Sequence, residues 1–121
     1  MDRYYGHRFH PRSVRHLDNA SIVSTLRVTL EPTLVEDIDH HVAFHIDNDV
    51  CGLHVRNGVA VPTDGTAATS AAAMSRDTFI AVLSGRTSWS DAVKSSLIRV
   101  SGDSTALDRV RKAFEVEGLR T

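Results

Sequence analysis

Alternation between apolar and polar residues is clearest in the middle of the chain. Val42, Phe44 and Ile46 alternate with His41, Ala43 and His45, which is the period of a half-buried strand. Asp47-Asn48-Asp49 carries turn chemistry, and Cys51, Leu53 and Val55 then alternate with Gly52, His54 and Arg56. A two-residue loop at Asn48-Asp49 pairs Ile46 with Cys51, Phe44 with Leu53 and Val42 with Val55, so all three apolar pairs share one face. Asn57-Gly58 predicts a second hairpin. A plain two-residue turn there sets Arg56 opposite Val59 and moves Val59 and Val61 to the polar side. A three-residue loop, Arg56-Asn57-Gly58, with Gly58 left-handed in a bulge, pairs Val55 with Val59 and keeps one apolar face; it is the preferred expectation. Pro62 to Gly65 turns the chain again. Residues 68–74 are expected to form a fourth strand by position, although Ala71, Ala72 and Ala73 favour helix by propensity.

Helical spacing flanks this block. Asn19 is read as the cap of a helix from about Ala20 to Leu30, with Ile22, Val23, Leu26 and Leu30 inward, although Leu26, Val28 and Leu30 also alternate. Pro32 ends the element in either case, and residues 33–38 leave room for one helical turn. Ser75 opens a helix carrying Phe79, Ile80, Val82 and Leu83, and Gly85 closes it. Ser88, three residues before Asp91, starts another with Trp89, Ala92 and Val93 on one face. Leu97 to Val100 reads as a short strand broken at Gly102. Asp103 or Ser104 then caps a last helix with Leu107, Val110 and Phe114 on one stripe. The expected architecture is a sheet with one apolar face, roofed by short helices.

A chain of 121 residues is the size of one domain. Residues 19–121 are taken as that domain, and residues 1–18, basic and aromatic without a period, as a flexible arm or linker remnant. A formal net charge of −1 gives no support to a nucleic-acid or acidic-membrane partner. No apolar run approaches the roughly 18 residues needed to span a bilayer, and the start lacks the apolar core of a signal peptide, so a cytoplasmic location is expected.

Candidate chemistry is sparse. There are seven histidines. With the register above, however, His54 lies opposite Ala43 and diagonal to His41 and His45, which stand about 13 Å apart along their strand. A solvated polar face, with no metal and no cofactor, is the expectation. Cys51, the single cysteine, falls on the apolar face, away from any activating group. No serine sits in a Gly-x-Ser-x-Gly elbow, and Asp37 and Asp39 read as turn and cap residues. What remains is the apolar surface between sheet and roof. Phe44, Leu53, Val55, Phe79, Leu83, Trp89, Val93 and Phe114 are the candidate lining of a cavity for an alkyl chain; a filled core is the competing reading. Arg86 and Arg99 are the candidates to meet an anionic head group.

Several segments together carry a family resemblance. They are the hairpin ending Arg56-Asn57-Gly58-Val59, Met74-Ser75-Arg76-Asp77 at a helix start, Leu83-Ser84-Gly85-Arg86-Thr87-Ser88, and Ile98-Arg99-Val100-Ser101-Gly102-Asp103. Through them residues 19–117 resemble the C-terminal domain of bacterial alkylsulfatases, of the sterol carrier protein type 2 fold. The resemblance implies an α+β domain: about five mostly antiparallel strands covered on one face by helices, with an apolar tunnel between. It implies non-catalytic binding of a lipid, fatty acyl or alkyl chain, the family's zinc ligands belonging to a separate catalytic domain. The alternative it leaves open is an interaction module, forming a homodimer or docking on a separate sulfatase-like catalytic protein. Tyr4-Tyr5-Gly6 with His10 resembles a segment near the end of the alkylsulfatase catalytic domain, which points to a shortened relative.

Overall fold

A computed structural model describes residues 17–121. The expectations for residues 1–16, the greater part of the basic arm, lie outside the described residues. The chain runs through helix α1 (Asn19–Arg27), a short 3-10 turn (Pro32–Leu34), strands β1 (Asp39–Ile46), β2 (Asp49–Arg56), β3 (Val59–Thr63) and β4 (Ser70–Met74), and helices α2 (Arg76–Leu83) and α3 (Trp89–Lys94). Strand β5 (Ile98–Gly102) and helices α4 (Ser104–Ala113) and α5 (Glu117–Arg120) complete it. The expected caps Ser75, Ser88 and Asp103 each accept a hydrogen bond from a backbone N–H in the first turn of the helix that follows.

The cap of α1 is not the predicted one. Asp18 takes that role, accepting from the Ser21 amide at 2.7 Å. Asn19 is instead buried and ties α1 to three other elements. Its Nδ2 donates to the Ile46 carbonyl at 3.2 Å and to Asp49 Oδ2 at 2.8 Å, and its Oδ1 accepts from Arg76 Nη1 at 2.8 Å. An Asn19→Ala variant removes those three hydrogen bonds and opens a small void. Its unfolding free energy by urea titration should fall by about 2 kcal/mol.

Five strands form one open, mixed sheet in the order β3-β2-β1-β4-β5, with β1 and β4 parallel and the other neighbours antiparallel. Both hairpins depart from the expected register. The first turns on Asp47-Asn48, so Ile46 faces Asp49, Phe44 faces Cys51 and Val42 faces Leu53. Asp47 sits at φ 54°, donates its amide to the Met74 carbonyl at 3.0 Å and accepts the Arg76 amide on Oδ1 at 3.1 Å. Those ties fix it in the turn, while Asn19 keeps Asp49 in the strand. The slip is two residues, an even number, so every apolar side chain stays on the predicted face.

The second hairpin takes the plain turn. Asn57 and Gly58 have φ of 54° and 80°, Arg56 faces Val59, and Val59 and Val61 point outward, 57% and 50% exposed. Two successive left-handed residues give the primed turn whose twist matches the flanking strands, and that preference outweighs burial of the two valines. Ala60 faces inward in their place.

The link from β3 to β4 has to pass β2 and β1, and it does so on the face away from the helices. Gly52 and Ala43 pair across β2 and β1 beneath it. A Cβ on Gly52 would come 2.5 Å from the Gly65 amide nitrogen, and a Cβ on Gly65 would come 3.5 Å from Ala43 Cβ. Ala43 is therefore fully buried although it points away from the core. On the other face, Val42, Phe44, Ile46, Leu53, Val55 and Ala72 join apolar residues of α1 to α5 in one core. Phe114, expected on the last helix, lies just past α4 in extended backbone bridged to Leu30, and α5 follows it. No helix among the described residues is long and apolar enough to cross a membrane.

Candidate functional site

Seven of the eight predicted lining residues come together. Phe44 on β1, Leu53 and Val55 on β2, Phe79 and Leu83 on α2, Trp89 on α3 and Phe114 after α4 are each no more than 2% exposed. The Phe44 ring stacks on Phe79 with centroids 6.4 Å apart and meets the edge of Trp89 at 6.5 Å. Val93 does not join them. On this short helix the inward residues are Trp89 and Ala92, and Val93 turns outward, 38% exposed.

Beside this cluster, on the outer flank of α2, lies a cleft of about 480 Å³. Ile80, Ala81 and Leu97 supply apolar surface, Thr78 and Thr87 hydroxyls, and Arg76, Arg86 and Asp77 charge. Ile80 is shared between the cleft and the core. Arg76 is already engaged by Asn19 Oδ1 and the Leu17 carbonyl, whereas Arg86 is exposed and touches Ser84 Oγ at 3.4 Å. Arg99 is exposed on β5 opposite Ala73, outside the cleft. Spacing gives no sign of the cleft, because Leu97 reads as the first residue of a strand. Leu97 lies just before β5 and is 53% exposed.

On the open face the slipped register brings His54 opposite His41 rather than Ala43. Their rings stack with centroids 3.9 Å apart and planes 9° from parallel. His54 Nε2 donates to Asp39 Oδ1 at 2.6 Å, and Arg56 Nε stands 3.9 Å from Asp39 Oδ2. The His54 hydrogen bond first, then the neighbouring charges, hold the Asp39 carboxyl below the usual carboxylate range. A depressed folded pKa contributes stability above the unfolded value, lost as the pH falls through the folded one. Cys51 is buried, and burial foremost, then Asp49 and Asp18, pushes its thiol above the ordinary value, away from nucleophilic use.

An open five-stranded mixed sheet in this order, backed by short helices, is the α+β fold of the sterol carrier protein 2 class. The chain belongs to the alkyl sulfatase C-terminal family, whose model matches residues 9–117. The stereoselective inverting sec-alkylsulfatase Pisa1 from Pseudomonas sp. superposes with a TM-score of 0.73 at 17% identity, over 84% of this chain and 17% of that one. This chain thus corresponds to a small fraction of that enzyme's length. Apo sterol carrier protein 2 from Yarrowia lipolytica gives a TM-score of 0.57 at 12% identity, over 84% and 98% of the two chains. Palmitated SCP2L2 from Aedes aegypti gives 0.59 at 12% identity, over 75% and 88%. No curated protein matches the chain by sequence.

Proposed function

We propose that this domain binds the alkyl chain of a lipid or other amphipathic molecule without transforming it. The observation that carries the reading is the cleft flanking α2, whose volume of about 480 Å³ lies within the ordinary range of small-molecule sites. Its apolar wall shares Ile80 with the core formed by Phe44, Leu53, Val55, Phe79, Leu83, Trp89 and Phe114. A ligand's tail enters between α2 and the sheet by parting these side chains, while Arg86 meets an anionic head group at the rim. Each methylene buried contributes roughly 0.8 kcal/mol, so a ten-carbon tail supplies several kcal/mol, from which the cost of repacking must be subtracted. Family membership and the palmitate named with the mosquito structure support the same chemistry.

Trp89 is the single tryptophan and stands against Phe44, so its emission reports on the core. Titration with a fluorescent fatty acyl probe should give saturable quenching at micromolar concentration. Arg86→Ala should weaken a carboxylate-bearing probe several-fold and leave an uncharged alkyl probe unchanged. Trp89 emission indifferent to every long-chain compound would end the proposal.

A second reading rests on Val59 and Val61, which the plain turn leaves exposed on edge strand β3. Such an edge suits a second copy or a sulfatase-like catalytic chain. Light scattering across a concentration series separates the two readings, since a strict monomer that binds alkyl probes favours the first.

A further inference from the structure

We propose that Asp39, His41 and His54 form a binding site for a divalent ion of the zinc class on the open face of the sheet. The inference is independent of alkyl-chain binding, since these side chains lie on the face opposite the helical core.

Geometry is its first support. One ligand atom from each residue, a ring nitrogen or a carboxylate oxygen, lies within 4.8 Å of the other two. Tetrahedral zinc with bonds of about 2.0–2.1 Å sets its ligand atoms about 3.3 Å apart. Side-chain rotation closes that difference, because Asp39 and His54 stand at the surface with side chains 58% and 25% exposed. The backbone is already placed, since His41 and His54 are direct partners on two strands hydrogen-bonded along eight residues each.

The second support is a polar atom without a role. Nδ1 of His41 is buried and makes no hydrogen bond among the described residues. Buried polar atoms are almost always paired, so an imidazole nitrogen left over beside a second imidazole and a carboxylate points to a ligand. His54 is poised for the same change. Its Nε2 proton is directed at Asp39 Oδ1, and a bound ion takes the place of that proton, which moves to Nδ1. Arg56, 3.9 Å from the second carboxylate oxygen and 62% exposed, has solvent to swing into.

The donor set selects the ion. Two imidazoles and one carboxylate suit zinc, cobalt or nickel, whereas calcium and magnesium prefer oxygen ligands throughout. Three protein ligands leave a position for water or an anionic oxygen.

Titration with Co²⁺, followed by its visible absorption, should show one ion per chain and be reversed by Zn²⁺. His41→Ala and His54→Gln should each weaken uptake roughly tenfold or more. The double variant should lose it while keeping the parent's circular dichroism. Ni²⁺ at substoichiometric amounts should broaden the ring proton resonances of His41 and His54 before those of the other histidines, a readout that needs no variant. No saturable uptake by the parent would overturn the assignment. Undiminished uptake by the double variant, or first broadening at another histidine, would overturn it as well.

Discussion

Replacing Arg111 by methionine is expected to destabilise the domain by about 3 kcal/mol, the combined effect of leaving a buried carbonyl unpaired and removing a cation from an aromatic face. Arg111 is 6% exposed, an unusual place for a guanidinium, and its surroundings explain it. Nε donates to Asp108 Oδ1 at 2.9 Å, Nη1 donates to the Leu119 carbonyl at 2.6 Å, and the group lies over the Trp89 ring at 5.4 Å from its centroid. One side chain thus ties α4 to α5 and to α3. Methionine fills much of the volume but leaves the Leu119 carbonyl unpaired and removes the cation from the indole face. Arg120 assists from outside, donating through Nε to the carbonyls of Lys112 and Phe114, yet it is exposed and cannot replace the buried contact. Guanidinium denaturation followed at Trp89 reads the loss directly. Lysine should not rescue, because a compact ammonium cannot reach Asp108 and Leu119 together. An Arg111→Met midpoint equal to the parent's would mean that α5 is held by its apolar contacts alone.

The elements were legible wherever one local rule acted alone. Ser75, Ser88 and Asp103 cap as expected, and Val42, Phe44, Ile46, Leu53 and Val55 face the core, because hydroxyl or carboxylate chemistry and a period of two depend on near neighbours. Registers were less legible, because distant residues decide them. Asp49 stays in β2 through Asn19, thirty positions away, and Asp47 enters the turn through Met74 and Arg76. At the second hairpin two rules conflicted, burial of Val59 and Val61 against the twist of an Asn-Gly turn, and the turn prevailed. The expected lining residues Phe44, Leu53, Val55, Phe79, Leu83, Trp89 and Phe114 were legible as one buried apolar cluster, which spacing alone does not distinguish from a filled core, and none of them borders the cleft beside α2. The stacked His41–His54 pair was hidden by the same slip of two residues, which leaves apolar faces intact and changes every cross-strand partner.

Gly52→Ala tests the least visible part of the topology, the passage of the 64–69 link over β2 and β1. Nothing in the local sequence demands glycine at position 52, which lies in regular strand paired with Ala43 and Thr63. The demand comes from above. A methyl group there would lie 2.2 Å from Thr63 Oγ1, 2.5 Å from the Gly65 amide nitrogen and 2.7 Å from Gly65 Cα, all inside contact distance. Thr63 can rotate away, but only by giving up the hydrogen bond its hydroxyl accepts from that same amide at 3.2 Å. The backbone of Gly65 has less freedom, being left-handed at φ 83°. The link must therefore lift, and a loss of about 2–3 kcal/mol is expected, the upper range for overpacking. Thr63→Ala in the same chain should recover only part of it, because the backbone collision remains, and a double-mutant cycle measures that part. Hydrogen exchange should quicken at the Thr69 amide, which is bonded to the His41 carbonyl at 2.9 Å where the link rejoins the sheet. Parent-like stability and exchange in Gly52→Ala would place the link elsewhere and remove the reason given for the buried, outward-pointing Ala43.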